Sequence, residues 1–429
     1  MSFPRYPKYK ASGVEWLGEV PEAWEVKRFR FCVKSSNAGE VIDRTYWHSG
    51  DELFFSCQRD PMTSNFADFP TWKRTSAQDL LVTRNATPYV HIPPANAIYS
   101  NVVQRCILSD GLLRIFVANA LATVCARLRE DGYGVSIPSF SYEKWCNLHL
   151  PIPPLPEQTA IAEFLDRETA KIDALVAEQR RLMDLLKEKR QAVISHAVTK
   201  GLNPNAPMKP SGIEWLGDVP VHWSLPKLKS VATFSGGGTP SRDNPAYWNG
   251  DIPWVSPKDM KAERIVGAEE SITEKGLRSS ASSLLPPGRI LIVVRSGILK
   301  HTIPIAINET PVALNQDMKA LSFDAAKCLG RYFFRWVQGH NDQLLFAWSK
   351  QGATVESIEH SYLAQTVVPL PDIREQAAIV SFLDTELAKF DTLTAEAQKA
   401  IDLLQERRTA LISAAVTGQI DVRGAGSAS

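Results

Sequence analysis

The chain has 429 residues, of which 44% are hydrophobic and 22% charged, and its formal net charge is +1. This composition is typical of a folded protein of two to four domains, and it excludes both a disordered chain and a protein that coats nucleic acid through net charge alone. The strongest apolar run, residues 290–294, has the length of a strand and not of a membrane span. The first residues contain no apolar segment of the secretory type, and the six cysteines include no CxxC pair. We therefore expect a reduced, cytoplasmic protein without a metal site.

A short motif near the start of the chain occurs twice. The sequence SGVEWLGEVPEAW begins at Ser12, and SGIEWLGDVPVHW begins at Ser211, so that Trp16 returns as Trp215, 199 residues later. Because repeats of this kind determine architecture, the motif predicts a chain built from two related halves.

The first variable region, residues 25–156, follows this motif and has a weak positive charge of +2. Its pattern predicts a mixed α/β domain with a strand over residues 79–84 and a helix near residues 119–129. Arg84 and Asn85 end the strand, and Gln104 and Arg105 follow about twenty residues later. Arginine pairs with guanine, and asparagine and glutamine pair with adenine, so these four residues are candidates for DNA contacts.

A second repeated block begins at Glu157 and returns from Glu375, and 25 of its 43 positions are identical. Apolar residues follow spacings of three and four without an internal Pro or Gly, which predicts a long amphipathic helix in each half. One predicted seam contains Leu165, Ile172, Leu186 and Val193 in the first copy, and Leu383, Phe390, Leu404 and Leu411 in the second. The other seam contains Ile161, Leu175 and Leu182, with Ile379 and Leu393 as counterparts. Matched length and register favour an antiparallel coiled coil between the two helices, although two separate amphipathic helices remain an alternative.

The second variable region, residues 224–374, differs from the first in sequence and carries a charge of +3. A buried strand is predicted at residues 289–295, and a helical stretch is predicted near residues 330–346. Polar and basic residues cluster in its loops, and they are candidates for contacts with bases and phosphates. They are Thr239, Ser241, Arg242, Lys258, Arg295, Lys300, Asn315 and Gln316.

The predicted fold class is α/β, or more exactly α+β, with two mixed recognition domains, two long helices and a pseudo-two-fold internal repeat. The predicted boundaries are residues 1–156 for the first domain, 157–200 for the first helix, 201–374 for the second domain and 375–422 for the second helix. Residues 423–429, small and polar, are expected to be a disordered tail.

A catalytic interpretation rests on two near-matches in the second region. Phe234 to Gly238 fits the FxGxG pattern of methyltransferases that bind S-adenosylmethionine, and residues 244–247 (NPAY) differ by one residue from their NPPY motif. In that fold the two motifs end different strands of one sheet, so tens of residues must separate them, whereas here only five do. The spacing disfavours a methyltransferase site, and the sequence offers no catalytic constellation. A protein–protein scaffold that makes no DNA contact is the other alternative.

The whole arrangement resembles the specificity (S) subunit of Type I restriction–modification systems. The resemblance lies in the SGxEWLGxVPxxW motif of both halves, the PxPxxEQ lead into each helix, FLDxExAKxDxL inside each helix, the segment GGGTPSRDNPAYWNGDIPWVSPKDM, and LNQD at residues 314–317. The first variable region departs from the pattern, since it lacks GGGTPS and has Gln104 and Arg105 where the second has Gln316 and Asp317.

This resemblance implies a non-catalytic DNA-recognition subunit. Each variable region would read one half of a bipartite site in double-stranded DNA, and the helix pair would set the gap. The helices would also dock two methyltransferase (M) subunits, through residues that include Phe164, Leu165, Phe382 and Leu383. Restriction/translocase (R) subunits would join for cleavage. The chain would hold no cofactor itself, because S-adenosylmethionine, ATP and Mg would bind to those partners, and no membrane would be involved.

Overall fold

The computed structural model describes residues 3–84, 87–130, 141–350, 352 and 355–424. The chain divides into two compact units, one formed by residues 1–180 and 398–429 and the other by residues 181–397. Each unit therefore holds one copy of the short motif, one variable region and part of each long helix.

The first unit contains eleven strands among its described residues. They are β1 (Tyr9–Ala11), β2 (Glu19–Pro21), β3 (Glu25–Arg28), β4 (Val33–Ala38), β5 (Trp47–Phe55), β6 (Met62–Ser64), β7 (Asp79–Thr83), β8 (Val90–His91), β9 (Ile98–Tyr99), β10 (Val103–Leu108) and β11 (His149–Ile152). Its helices are α1 (Arg114–Glu130), α2 (Tyr142–Asn147) and the first part of α3 (Leu155–Lys200).

The second unit contains ten strands among its described residues. They are β12 (Met208–Pro210), β13 (Asp218–Pro220), β14 (Ala232–Gly236), β15 (Trp248–Val255), β16 (Arg264–Ile265), β17 (Ser271–Ile272), β18 (Ile290–Val293), β19 (Ile305–Asn308), β20 (Ala313–Leu314) and β21 (Met318–Phe323). Its helices are α4 (Glu274–Arg278), α5 (Gly330–Gly339), α6 (Asn341–Trp348), α7 (His360–Gln365) and the first part of α8 (Ile373–Val416).

The two variable regions share one strand topology, although their sequences differ. In the first unit the main sheet has the order β4-β10-β7-β8, and a small sheet has the order β6-β5-β9. In the second unit the corresponding orders are β14-β21-β18-β19, with β16 added at the edge, and β17-β15-β20. In the first unit β5, the middle strand of the small sheet, pairs in parallel with β9, which directly precedes β10 of the main sheet. In the second unit β15 pairs in parallel with β20, which directly precedes β21. The mixed α/β fold is therefore confirmed, and the two regions are two versions of one domain.

The predicted central strands lie in the middle of each main sheet. All residues of β7 and of β18 are buried, which explains the unbroken apolar runs of residues 80–82 and 290–293, since strands covered on both faces do not alternate. Gly288, at φ +85°, makes the turn that leads into β18. The predicted helical stretches are confirmed as α1 in the first region and as α5 followed by α6 in the second.

Both long helices begin at the same set of hydrogen bonds, made by Gln158 in the first unit and by Gln376 in the second, and we call each set a joint. The helices start two residues before the predicted positions, and the PxPxxEQ glutamine of each lies almost fully buried beside the helix start. The Gln158 amide accepts a hydrogen bond from the Leu113 backbone N–H at 2.8 Å and donates to the carbonyls of Gly111 and Pro153. Gln376 makes the same three bonds, to Leu329, Lys327 and Pro371. Each glutamine thus satisfies three backbone groups where a variable region meets its helix.

The helices end on glycines in the left-handed region, Gly201 at φ +76° and Gly418 at φ +73°, as helices commonly do. The second helix ends at Val416 and not at 422, because the chain then turns onto the N-terminal motif. The Tyr9 hydroxyl donates to the Gly418 carbonyl at 2.9 Å, and the Arg423 guanidinium lies 4.9 Å from the centre of the Tyr6 ring. Arg423 is thus held in place, and residues 425–429 of the expected tail lie outside the described residues.

Within each unit the two helices pack antiparallel. In the first unit Phe164 and Leu165 share a core with Ala415 and Val416, and further along α3 Asp173 pairs with Arg408 at 3.0 Å. In the second unit a shared core includes Leu186 and Ile194 of α3 and Leu383 and Leu387 of α8, and Arg190 pairs with Asp391 at 2.7 Å. The predicted antiparallel pairing of amphipathic helices is confirmed inside each unit.

Part of the predicted seam is wrong by one residue. Leu165, Ile172 and Leu186 are buried as predicted, but Leu175, Leu182 and Leu393 are exposed. The buried residue after Ile172 is Val176, one residue beyond Leu175. The buried stripe of α3, the line of residues that faces the other helix, therefore continues from Ile172 in alternating steps of four and three residues. Leucine was a misleading marker here, because small residues such as Ala397 occupy buried positions where the helices approach closely. None of the helices in the described part of the chain is long and apolar enough to cross a membrane.

Candidate nucleic-acid interface

Six of the residues predicted to contact DNA meet in one cleft of the second unit, with a volume of about 560 Å³. They are Thr239, Arg242, Lys258, Arg295, Asn315 and Gln316. They come from four separate loops, which follow β14, β15, β18 and β20. The topology therefore gathers at one edge of the domain the polar side chains that are scattered along the sequence.

Two glycines allow the first of these loops to lie against the last. A Cβ atom at Gly237 would sit 1.8 Å from the Asn315 carbonyl oxygen, so only glycine fits there. Next to it, the Gly238 N–H donates to the Leu314 carbonyl at 2.9 Å. The close approach lets the Thr239 hydroxyl donate to the Gln316 side-chain oxygen. Gly237 and Gly238 are thus used for backbone packing, which gives a structural role to part of the FxGxG segment.

Arg242 is held from two sides. Its guanidinium carbon lies 3.9 Å from the centre of the Trp248 ring, and its terminal nitrogen donates to Glu270 at 3.0 Å. The hydrogen bond from Arg242 lowers the pKa of the Glu270 carboxyl, with a further contribution from Lys258. The Trp254 ring packs edge-to-face on Trp248 at 5.2 Å. A stacked and ion-paired guanidinium keeps a defined direction, which suits a side chain that must meet a ligand in one geometry.

Arg295 is oriented by the loop that carries Asn315. Its Nε donates to Asp317 at 2.6 Å, and the Asp317 backbone N–H donates to the Asn315 side-chain oxygen at 3.0 Å. The Asp317 carbonyl also accepts from Val294 at the end of β18, so the two loops are tied together. More than half of the Arg295 side chain is exposed, and its terminal nitrogens are the atoms with which arginine pairs to guanine.

The two other predicted residues of this region do not line the cleft. Ser241 is exposed, and its carbonyl accepts a hydrogen bond from the Trp248 indole N–H at 3.0 Å. Lys300 is exposed at the end of a short 3-10 helix, Gly297–Lys300. Their contacts with DNA stay predictions.

The shared topology identifies the corresponding edge of the first unit. Phe55 pairs with Tyr99 as Val255 pairs with Leu314, so Ser100 and Asn101 occupy the places of Asn315 and Gln316. Arg84 directly follows β7 and takes the place of Val294, one residue before Arg295, because the Arg84 N–H bonds to the Val102 carbonyl as the Val294 N–H bonds to the Asp317 carbonyl. The Arg84 Nη1 donates to the Asn101 carbonyl at 3.4 Å, which places this arginine at the same edge. The sequence did not single out Asn101, because its equivalence to Gln316 is visible only through strand pairing. Asn85 lies outside the described residues.

Gln104 and Arg105 occupy a different place from the one that their spacing indicated. Both lie inside β10, where Gln104 corresponds to Lys319 of β21, so the match with Gln316 and Asp317 is wrong as a structural correspondence. Both are buried: Gln104 donates to the Ser36 hydroxyl at 3.1 Å, and the Arg105 Nε donates to Asp79 at 2.6 Å. A buried arginine paired with a buried carboxylate supports the fold around it, and a direct DNA contact by either residue stays a prediction.

The residues predicted to bind partners are mostly internal. Phe164, Leu165 and Leu383 are buried within their own units, and Phe164 packs edge-to-face on Phe3 at 5.1 Å. Phe382 is 39% exposed and is the one of the four that offers a surface.

The sequence reasoning missed two pairs of exposed leucines at equivalent positions of the repeat. They are Leu175 with Leu393 and Leu185 with Leu403, and each is between 45% and 55% exposed. Both copies carry leucine at these positions, but the sequence alone does not show that they lie off the buried stripe, because neighbours such as Val176 are also apolar.

No group of three or more His, Cys, Asp or Glu side chains suited to a metal ion occurs among the described residues. Within the same residues, Asn244 of the NPAY segment caps a short 3-10 helix by accepting the Ala246 backbone N–H at 3.1 Å. That near-match to a methyltransferase motif therefore also has a structural explanation.

A family model described as the Type I restriction modification DNA specificity domain matches residues 220–403. The specificity subunit of the Type I restriction enzyme EcoR124I/EcoR124II of Escherichia coli is 34% identical over 264 residues, which are 60% of this chain and 58% of that protein. The match thus spans less than two thirds of that relative. The MjaVIII specificity subunit of Methanocaldococcus jannaschii is 21% identical over 421 residues, 94% of each chain.

Two solved structures share the fold. One is a chain from a study of complex assembly and conformational transition of a type I R-M system, with a TM-score of 0.65 and 16% identity over 92% of this chain and 98% of that one. The other is the HsdS subunit of Thermoanaerobacter tengcongensis, with a TM-score of 0.50 and 15% identity over 94% and 98%. The duplicated frame, the recognition-domain topology and these matches agree. Residues 220–403 match the model of the Type I restriction modification DNA specificity domain, and the chain as a whole is similar to specificity subunits of Type I restriction enzymes.

Proposed function

We propose that this chain is the non-catalytic subunit that selects the DNA sequence for a Type I restriction–modification complex in the cytoplasm. The observation that carries the proposal is the single cleft in which Thr239, Arg242, Lys258, Arg295 and Asn315 meet. Donor groups on several loops at one edge of a domain are suited to reading base edges, while lysine and backbone amides hold phosphates.

Two half-sites follow from two versions of one domain. Arg295 and Gln316 mark the reading edge of the second unit, and Arg84 and Asn101 mark the corresponding edge of the first. The sequences of these loops differ, so each unit reads its own short sequence. Each base pair contributes about 1–3 kcal/mol of discrimination, and two linked readers add their contributions.

The helix pair would set the distance between the half-sites. Deleting one heptad from both helices, residues 177–183 and 395–401, keeps the ion pairs of Asp173 and Asp391 at the two ends and shortens each helix by about 10 Å. We expect a recognised gap that is shorter by about three base pairs. An unchanged gap would show that the helices do not set it.

Two methyltransferase subunits would dock on equivalent faces of the helices. The support is the repeated exposure of leucine, with Leu175 and Leu403 in the first unit and Leu393 and Leu185 in the second. Replacing Leu175 and Leu403 with Glu should remove one copy of the partner, as measured by native mass spectrometry of the assembled complex. Leu284→Glu, at another exposed leucine, is the matched control and should leave both copies bound. In this proposal the M and R subunits supply S-adenosylmethionine, ATP and Mg chemistry.

The decisive experiment is co-expression of this chain with its methyltransferase subunit, followed by sequencing of host DNA for N6-methyladenine. We expect a bipartite motif of two short sequences around a fixed gap. Arg295→Ala should weaken recognition of one half-site by about 1–3 kcal/mol, and Arg84→Ala should weaken the other. Arg264→Ala is the control, because Arg264 is an exposed, carboxylate-paired arginine of the same unit on the edge strand β16, outside the cleft. A uniform loss on all DNA sequences would instead assign the arginines to phosphate contacts.

A further inference from the structure

The first unit presents an exposed tryptophan that its counterpart lacks. Trp72 is 71% exposed and lies in a short 3-10 helix, Thr71–Lys73, between β6 and β7. The corresponding segment of the second unit, between β17 and β18, forms α4, with the sequence EKGLR and no aromatic residue. A single exposed hydrophobic side chain is ordinary on a protein surface, so exposure alone assigns no role to Trp72.

The support beneath Trp72 is what distinguishes it. The buried Arg105 guanidinium donates to the Trp72 carbonyl at 3.2 Å, while its Nε is bonded to Asp79 at 2.6 Å. The same Asp79 oxygen accepts the Ser76 backbone N–H, which holds the chain just after the 3-10 helix. A buried charged pair is costly to desolvate, and here it anchors the backbone of an exposed indole.

The residues on either side of the indole are also held. Lys73 lies 5.3 Å from the centre of the Trp72 ring, and its ammonium bonds to Glu40. On the preceding side, Phe69 is buried and packs on Tyr99 at 5.4 Å. These contacts hold the backbone that carries the indole, which reduces the entropy lost when its face meets a ligand.

The 3-10 helix that carries Trp72 is connected by hydrogen bonds to the reading edge of the same unit, which Arg84 and Asn101 mark. The backbone of Glu40, which holds Lys73, accepts the Asn101 N–H at 2.7 Å and donates to the Tyr99 carbonyl at 3.2 Å. Asn101 in turn is bonded by Arg84. The connected residues Arg84, Asn101, Glu40 and Lys73 thus join the reading edge to the 3-10 helix that carries Trp72.

We propose that Trp72 contacts the DNA at the first half-site by stacking its indole on a nucleobase, and that the buried Arg105 is the positioning residue that holds it. In a duplex the indole would insert at a base step, as apolar wedges do, and because every base has a π-face its stacking depends little on sequence. The first unit would then combine reading by polar groups with an aromatic wedge, for which the second unit has no aromatic counterpart in α4. This inference rests on the proposed function.

The test compares Trp72→Ala, Trp72→Phe and the wild-type chain in complex with the methyltransferase subunit, on a duplex that carries the methylated motif. We expect Trp72→Ala to weaken binding by about 5- to 100-fold, and Trp72→Phe to retain much of the affinity. Stacking releases no counterions, so the slope of log K against log salt should be unchanged, whereas the loss of a phosphate contact would lower it by about one.

Phe31→Ala is the matched control. Phe31 is 63% exposed, lies 4.8 Å from the Arg30 guanidinium, and precedes β4 at the end of that strand away from Glu40. We expect it to bind DNA as the wild type does.

Separate outcomes distinguish the two levels of the proposal. If the wild-type complex assembles but neither binds nor methylates DNA, the proposed function is wrong. If the wild type binds and Trp72→Ala binds within twofold of it, the role of Trp72 is wrong while the proposed function stands. If Trp72→Ala fails to assemble with the methyltransferase subunit, the indole contacts protein and the inference is overturned.

Discussion

The two variable regions have the same strand order but different attachments to the long helices. In the second unit Arg335 of α5 is almost buried and bonds both to Glu263, at 3.0 Å, and to Asp384 of α8, at 2.9 Å. Arg190 of α3 joins the same group through Glu263 and Asp391. In the first unit the residue at the place of Arg335 is Asn119, whose side chain donates to its own helix at Ile115.

This difference teaches which features the duplication retains and which it varies. The joint built by Gln158 and Gln376 is the same in both units, and it defines where a recognition region meets a helix. The charged group around Arg335 is added to only one of them. The placement of a region on the frame is thus a shared property, and its further bracing is particular to the second unit.

The largest effect is expected at the shared joint. Gln158→Leu and Gln376→Leu each remove a buried amide and leave two carbonyls and one N–H without their partner. We expect each variant to lower the free energy of unfolding of its unit by about 3–5 kcal/mol. Denaturant melts of the two variants measure this effect, and unequal losses would show that the joints are not equivalent.

A smaller effect separates the two regions at Arg335 and Asn119. Arg335→Ala removes an almost buried guanidinium that bridges Glu263 and Asp384, so we expect a loss of about 2–4 kcal/mol, limited by the remaining pair of Asp384 with Arg331. Asn119→Ala should change stability by less than about 0.5 kcal/mol, because its bond lies within one exposed helix turn. Thermal unfolding of both variants is the measurement. Similar losses would remove the distinction drawn between the two attachments.

A buried histidine in each unit makes stability depend on pH. Burial lowers the pKa of His91 in the first unit and of His340 in the second to about 4. Unfolded histidine takes up a proton near pH 6.5, whereas the folded side chains stay neutral until about pH 4. Their stabilising contribution is therefore complete above pH 6.5 and is lost progressively as the pH falls towards 4.

We expect the melting temperature to fall between pH 7 and pH 5, and the fall to be smaller in His340→Gln, which carries no titrating group. Gln can preserve the contact that His340 makes with the Thr199 hydroxyl at 2.9 Å. His48→Gln, at an exposed position, is the control and should leave the pH dependence unchanged. A variant His340→Gln with the full pH dependence would contradict the assignment.

The sequence predicted the architecture because repetition and periodicity are properties of a single chain. The duplicated motifs, the central strands β7 and β18 and the antiparallel helices followed from these patterns. The register of the seam did not, because Leu175 and Val176 are both apolar and only packing decides which one is buried. The sequence also failed to identify Asn101 at the reading edge of the first unit. The equivalence of Asn101 and Gln316 depends on strand pairing and not on spacing from an arginine.

The smallest expected effect concerns two ion pairs that the repeat makes equivalent. Asp173 pairs with Arg408 in the first unit, and Asp391 with Arg190 in the second, and the two aspartates and the two arginines occupy matching positions of the repeated block. All four side chains are partly exposed, so each pair should contribute no more than about 1 kcal/mol. Double-mutant cycles with Ala at each pair give the coupling energies at low and at high salt. We expect the Arg190 pair to couple more strongly, because Arg190 also lies near Glu263, and both couplings to weaken with salt. Equal coupling energies would show that the charged group around Arg335 does not strengthen the ion pair between the two helices. The two halves would then differ only in how their variable regions are attached to the helices.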